Sequence, residues 1–506
     1  MTSSHGSALS RRHFALGGGV AALLTGACQT GASFEPFDLA ILGARVMDPE
    51  SGHDDVAHIG VRNGQVATVT RQTISARTVI DGRGLVAAPG FIDLHAHGQT
   101  LGDGDIQARD GVTTALELES GVFPIAPFYK RREGRSRIHF GASAGHRGAR
   151  ILLTTGIEAG HSLTEPETQV RIQMRVQDWA YAHLKTDELR KLRALLTEGF
   201  MAGGLGIGLA PEYIPGADRE EVLQVFEEAA ALKAPVFVHV RRTASALGDA
   251  PMEPIQEMLA NAAATGAALH LCHINSKALG MIDPALRLIN GARARGIDVS
   301  SEVYPYTAGS TLIGSALFDE GWRQRLGADY RDIEWPLTGE RLTEESFTRY
   351  RREQPEGWAI IHNITDETVD RAIADPDVII ASDGAPFIRG SGHPRGAGTY
   401  ARVLGRYVRE RKLLSLMDGI RKMTLLPARR LETISPTMRR KGRLQPGADA
   451  DIVLFDPARV IDRATFEKPT TPSEGIPYVI VGGQVIVDEG QIVGSAFPGQ
   501  GVRAHV

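Results

Sequence analysis

The chain has 506 residues, more than one compact core usually holds, although large α/β barrels form single domains. Its 42% hydrophobic and 23% charged content is ordinary for a globular protein. With 56 basic and 60 acidic residues and a net charge of -4, it lacks the concentrated positive field of a nucleic-acid surface, so no nucleic-acid partner is expected. Beyond the N-terminus, no apolar run is long enough to span a bilayer.

Residues 1–35 read as an export signal. Ser10-Arg11-Arg12-His13-Phe14 places two arginines before a glycine-rich, weakly apolar stretch that runs to Ala27, the pattern of a twin-arginine signal. Leu24-Thr25-Gly26-Ala27-Cys28 is similar to a bacterial lipoprotein cleavage site, with Thr25 where that pattern carries leucine. A periplasmic protein is expected, with Cys28 as a candidate lipid anchor. The other cysteine, Cys272, then has no disulfide partner.

Residues 36–90 read as short strands punctuated by glycine and asparagine, and residues 436–506 read the same way. The simplest packing is one small β-sandwich built from both chain ends. Residues 91–435 have a different rhythm. Candidate strands at 91–97, 113–119, 138–144, 205–209, 235–241, 268–275, 298–306 and 378–383 alternate with helical stretches such as 219–233, 252–265 and 284–295. Eight strands with crossovers predict a (β/α)8 barrel of the TIM type. Residues 146–200 are expected to be a helical insertion after the third strand, and residues 310–360 a second insertion before the eighth. Long excursions on the catalytic face form lids or substrate walls.

Catalytic groups in such barrels sit at the C-terminal ends of the strands. The first strand ends Asp93-Leu94-His95-Ala96-His97. Side chains alternate along a strand, so both imidazoles point the same way and can chelate a metal. The second ends Glu117-Leu118-Glu119. Two carboxylates facing into a barrel need a cation or hydrogen bonds to offset burial. Glu119 is nearer the mouth and is the first candidate ligand, with Glu117 as the fallback. The fifth strand carries His239 in an apolar run. Arg241, on the same face, is either a substrate-carboxylate group or half of a salt bridge. In the sixth strand His270 and His273 fall on opposite faces by alternation. His273 is the ligand candidate, while His270 and Cys272 are expected to point toward the helices. The eighth ends Ser382-Asp383-Gly384, where an aspartate can bind metal weakly and exchange a proton with the nucleophilic water, or merely cap the next helix.

His95-x-His97, His239, His273 and Asp383 at strands one, five, six and eight resemble the amidohydrolase-superfamily pattern. The wider chain resembles its D-aminoacylase (N-acyl-D-amino-acid deacylase) branch, through Pro89–His97 as a run, Glu212-Tyr213-Ile214-Pro215-Gly216, Tyr304-Pro305-Tyr306-Thr307-Ala308-Gly309 and His393-Pro394-Arg395. Within that branch it looks most like proteins described as D-glutamate deacylases. The resemblance implies a zinc enzyme that cleaves the amide of an N-acyl-D-amino acid. Glu119, His239 and His273 would hold the tighter ion, and His95, His97 and Asp383 a weaker second one. Asp383 would be the catalytic base and acid.

Two departures bear on this. D-aminoacylases carry a cysteine ligand after the second strand, where this chain has Glu119-Ser120. They also have a lysine two residues after the sixth-strand histidine, where this chain has Asn275, with Lys277 out of register. Substrate contact is therefore expected from Tyr213, Arg241, Asn275, Tyr304 and Arg395. The fourth strand, Leu205-Gly206-Ile207-Gly208-Leu209, lacks the lysine of the hydantoinase-like branch, which argues against cyclic amides. A non-enzymatic lipid-anchored relative would be missing ligands, and none is missing.

Overall fold

Eight short parallel strands form the centre of the molecule in a computed structural model that describes residues 36–242 and 251–505. In chain order they are β1 (Phe91–Asp93), β2 (Val112–Val122), β3 (His139–Gly145), β4 (Ile207–Leu209), β5 (Val236–Val238), β6 (Leu269–Leu271), β7 (Val299–Val303) and β8 (Val378–Ile380), each hydrogen-bonded to the next. The ring closes between β1 and β8 by a bridge of Ala96 with Gly384. Asp93 completes that seam. One of its carboxylate oxygens accepts from the amides of His95 and Ser382, each at 3.0 Å. The expected (β/α)8 barrel is the observed one, and all eight strands fall inside the predicted segments or within three residues of them.

The helices show why the crossovers form. In Arg219–Ala231, Val222, Val225, Phe226 and Ala229 are buried, which is one face of a 3.6-residue period. Asp218 caps its start by accepting the amide of Glu221, and Gly266, at φ 78°, ends helix Met252–Thr265 in the left-handed conformation that glycine adopts without strain. These faces pack on Val236, Val238, Leu269, Leu271 and Val299. Alternate residues of the same strands therefore point the other way, and Ile92, Leu116, Phe237, Cys272 and Ile379 meet inside the barrel.

Both chain ends build one nine-stranded sheet. Its halves join where Val86–Pro89 pairs antiparallel with Ile452–Phe455. Ile41, Val46, Ile59, Val61, Ile452 and Ile480 form its core. The sheet's last strand is Gln491–Ile492, after which the chain runs back to the barrel, where Val502 donates its amide to the carbonyl of Phe140 at 2.7 Å.

After β3 come helices His146–Thr155 and Pro166–Gln173. Thr186–Met201, inside the same predicted insertion, is the barrel's own crossover helix to β4. The second insertion holds a four-stranded antiparallel sheet, Gly309–Leu312, Trp358–Ile361, Ile333–Trp335 and Glu340–Arg341. The two excursions meet, with the Tyr181 hydroxyl donating to Asp319 at 2.6 Å. The expected export signal and Cys28 lie outside the described residues. Among the described residues, no helix is long and apolar enough to cross a membrane.

Candidate metal centre

Four imidazoles and two carboxylates converge at the C-terminal mouth of the barrel. His95 Nε2 and His97 Nε2 are 3.1 Å apart, and His239 Nδ1 and His273 Nε2 are 3.0 Å apart. Glu119 joins the two pairs. Its Oε1 is 2.8 Å from His239 and 2.6 Å from His273, while its Oε2 is 3.3 Å from His95 and 3.5 Å from His97. Asp383 Oδ1 lies 3.3 Å from His95 Nε2 and 3.4 Å from His97 Nε2. The sequence thus named all six donors, and the structure brings them together.

The outward-facing ring nitrogens decide what the inward-facing ones are. His97 Nδ1 donates to Glu117 at 2.8 Å, and His95 Nδ1 donates to Glu302. His239 Nε2 donates to Glu212 at 2.7 Å, and His273 Nδ1 pairs with the Ser276 hydroxyl at 3.1 Å. At His95 and His97 the carboxylate partner holds the Nδ1 proton, which leaves Nε2 as the nitrogen that faces the other donors; His239 Nε2 also faces the Lys277 ammonium at 2.5 Å. Lone pairs 3 Å apart repel unless a cation lies between them. Donors about 3.4 Å apart are what a tetrahedral ion with ~2.1 Å bonds requires. His95, His97 and Asp383, 3.1–3.4 Å apart, have nearly that spacing, whereas Glu119, His239 and His273 stand closer, 2.6–3.0 Å apart, and suit a divalent metal by the chemistry of their donors.

Glu117, the fallback ligand, is not at the mouth. It stands behind His97 and also takes His161 Nε2 at 2.9 Å. Burial alone would raise its pKa, but the charge of His97 and the bonds from both histidines outweigh this and bring it down to about 2. Glu302 is likewise held at about 2, where His95 and His270 overcome burial.

His270 and Cys272 do not point toward the helices, as alternation suggested. β6 ends at Leu271, and His273 adopts φ 31°, which turns its ring back to the mouth. His270 and Cys272 face the barrel interior, where His270 Nε2 donates to Glu302 at 2.9 Å. Asp383, at φ 52°, is the second ligand in this sparsely populated region. Strained backbone of this kind clusters at active sites.

Gly208 explains the fourth strand. A Cβ there would sit 2.5 Å from the carbonyl oxygen of Glu119, so the β2 backbone occupies the place a β4 side chain would need.

Of the substrate-contact candidates, Tyr213, Tyr304 and Arg395 line the cavity above the donors. Arg241 and Asn275 do not. Arg241 Nε turns to Glu257 at 3.5 Å, and Asn275 donates to the carbonyl of Tyr304 at 3.2 Å. Lys277, out of register in sequence, does reach the cavity, where its ammonium meets Glu212. Burial first, then Arg242, lowers its pKa to about 8 against the pull of Glu212. Glu302, Glu212 and Arg147 were missed by the sequence reading. Glu302 had a legible signal as the acidic residue of an otherwise uncharged strand.

Comparison with known proteins decides the family. The amidohydrolase family model (Amidohydro_3) matches residues 172–487. A D-aminoacylase from Alcaligenes xylosoxydans xylosoxydans is 30% identical over 92% of this chain and 96% of its own length. The chain belongs to the amidohydrolase family. An N-acyl-D-glutamate deacylase of the same organism is also 30% identical to this amidohydrolase, over 89% of the chain and 93% of that protein. Among solved structures, the N-acyl-D-glutamate deacylase of Bordetella bronchiseptica, complexed with zinc and a phosphonate inhibitor, superposes with a TM-score of 0.77. It is 26% identical, over 93% of this chain and all of that one.

Proposed function

We propose that this amidohydrolase cleaves the linear amide of N-acyl-D-amino acids, giving a carboxylate and a free D-amino acid. The observation that carries this reading is the cluster of six donors, joined by Glu119, on a fold shared over nearly its full length with D-aminoacylases.

Zinc is the metal of this reading, supported by the zinc-bound structural neighbour. Glu119, His239 and His273 would hold the tighter ion, and His95, His97 and Asp383 a weaker one. The ion supplies Lewis acidity toward the amide carbonyl and makes water acidic enough to ionise near neutral pH.

The protein does the rest. Asp383 faces the ligands through Oδ1 and is steadied at Oδ2 by Arg395 Nη1, 2.9 Å away. From there it takes the proton of the attacking water and passes it to the departing nitrogen. Tyr213 lies 4.6 Å from the His239 ring, tilted 44° to it, and accepts from Thr311 at 3.1 Å, which leaves its own O–H to donate to the oxyanion. Burial, then Glu119, holds its pKa well above the usual tyrosine value, so it stays a donor. Arg395 Nε is buried without a hydrogen-bond partner, beneath a cavity wall it shares with Tyr304. It is the group for the substrate's α-carboxylate.

Turnover of N-acetyl D- and L-amino acids by the purified protein tests the reading. Hydrolysis confined to the D series supports it, and inertness toward both series refutes it. The twin arginines at Arg11 and Arg12 support export to the periplasm, and an N-terminal reporter fusion tests that separately.

A further inference from the structure

Helix His146–Thr155 carries two arginines in opposite electrostatic settings. Arg150 is fully buried and neutralised. Its guanidinium meets Glu221, which also accepts from His146 at 2.8 Å, and it donates to the carbonyl of Trp179 at 2.6 Å.

Arg147 lies one residue into the same helix and lines the cavity together with Glu119 and Asp383. Among the described residues, no carboxylate comes within 4.0 Å of its guanidinium. Instead, Nη1 donates to the Ser162 hydroxyl at 3.0 Å, and the guanidinium lies 4.8 Å over the Trp179 ring. Burial lowers its pKa to about 10, opposed by Tyr213, which leaves it charged at neutral pH.

The other cations lining the cavity all have carboxylate partners. Arg242 and Lys277 share Glu212, and Arg395 faces Asp383. A partly desolvated cation without a counter-ion is costly. Held over an aromatic ring, with most of its five N–H donors unused, it is preorganised for a planar anion. Leu312 and Leu317 also line the cavity and offer an anion no hydrogen bond.

Resting on the deacylase reading, we propose that Arg147 is a specificity-determining residue that binds a second carboxylate of the substrate, the side-chain carboxylate of an N-acyl acidic amino acid. The α-carboxylate stays with Arg395, and the acyl group takes the apolar wall.

The test compares N-acetyl-D-glutamate with N-acetyl-D-glutamine, its neutral isostere, in the wild type and in Arg147→Met and Arg147→Lys. The wild type should favour glutamate. Arg147→Met should lower kcat/KM for N-acetyl-D-glutamate by about 100-fold, mainly through KM, and leave the glutamine substrate within about threefold. Arg147→Lys should recover part of the loss. A parallel loss on both substrates, or no loss on either, overturns the assignment. Product inhibition of the wild type needs no variant, and D-glutamate should inhibit more strongly than D-glutamine; equal inhibition counts against Arg147. If the wild type cleaves neither of these substrates nor N-acetyl-D-methionine, the deacylase reading falls and this inference with it. If it cleaves them with no preference for glutamate, only the role of Arg147 falls.

Discussion

Glu302 hydrogen-bonds Nδ1 of His95 from inside the barrel, on the side of the ring opposite Glu119 and Asp383. Its second oxygen takes His270 Nε2, so the ligand, the carboxylate and a second histidine form one buried chain. A carboxylate in this position orients the ring and raises its basicity toward metal. Glu302→Gln keeps the shape but loses the charge. It should weaken metal binding at the His95–His97–Asp383 group by about 10- to 100-fold, read by competition with a chromophoric chelator. Unchanged affinity would show that Glu302 only fills the barrel.

Asp383→Asn should separate proton transfer from metal binding. Glu119, His239 and His273 do not depend on Asp383, so the variant should keep its tighter ion. Its kcat should nevertheless fall by about 10²- to 10⁴-fold, the usual contribution of a positioned general acid–base. Steady-state kinetics beside metal analysis checks both. Near-normal turnover with metal bound would remove Asp383 from the mechanism.

A stability prediction concerns Asp451, far from the chemistry. Its carboxylate accepts from Lys441 at 2.6 Å, from His139 at 3.0 Å and from the amide of Gly482 at 2.8 Å, which ties the two-ended sheet to β3. Burial would raise its pKa, but His139 and Lys441 outweigh burial and hold it far below the ordinary 3.8. As pH falls, the unfolded chain takes up this proton first. The stabilisation is therefore complete above the unfolded value and is lost as pH drops toward the folded one. Asp451→Asn should cost about 1–3 kcal/mol at neutral pH, because it removes the nearer of the two carboxylates that neutralise buried Lys441 and leaves it only Asp449, at 3.1 Å. It should also flatten the acid limb of stability against pH in denaturant titrations at several pH values.

The parts of the site legible in the sequence were those set by strand alternation and strand ends. His95, His97, Glu119, His239 and Asp383 lie where an apolar run stops, and each was placed from that fact alone. His273 was named correctly, but the orientation of His270 was not. Alternation fails once a strand ends, and the positive φ of His273 resets which face it presents. Arg241 and Asn275 were drawn to the site by nearness in sequence to His239 and His273. Just past a strand end, one or two residues suffice to carry a side chain out of the cavity. Lys277 shows the converse, since the short helix Ile274–Ala278 carries it back in. The partners of the ligands, Glu302 and Glu212, come from other strands and loops, and no local spacing links them to the histidines they orient.

The central claim is that the six donors hold a metal on which amide hydrolysis depends. Metal analysis joined to activity on an N-acetyl-D-amino acid, before and after treatment with a strong chelator, tests it most directly. The expected result is at least one divalent ion per chain as purified, loss of hydrolysis when it is removed, and recovery on adding zinc. Undiminished hydrolysis by protein stripped of metal would contradict the account.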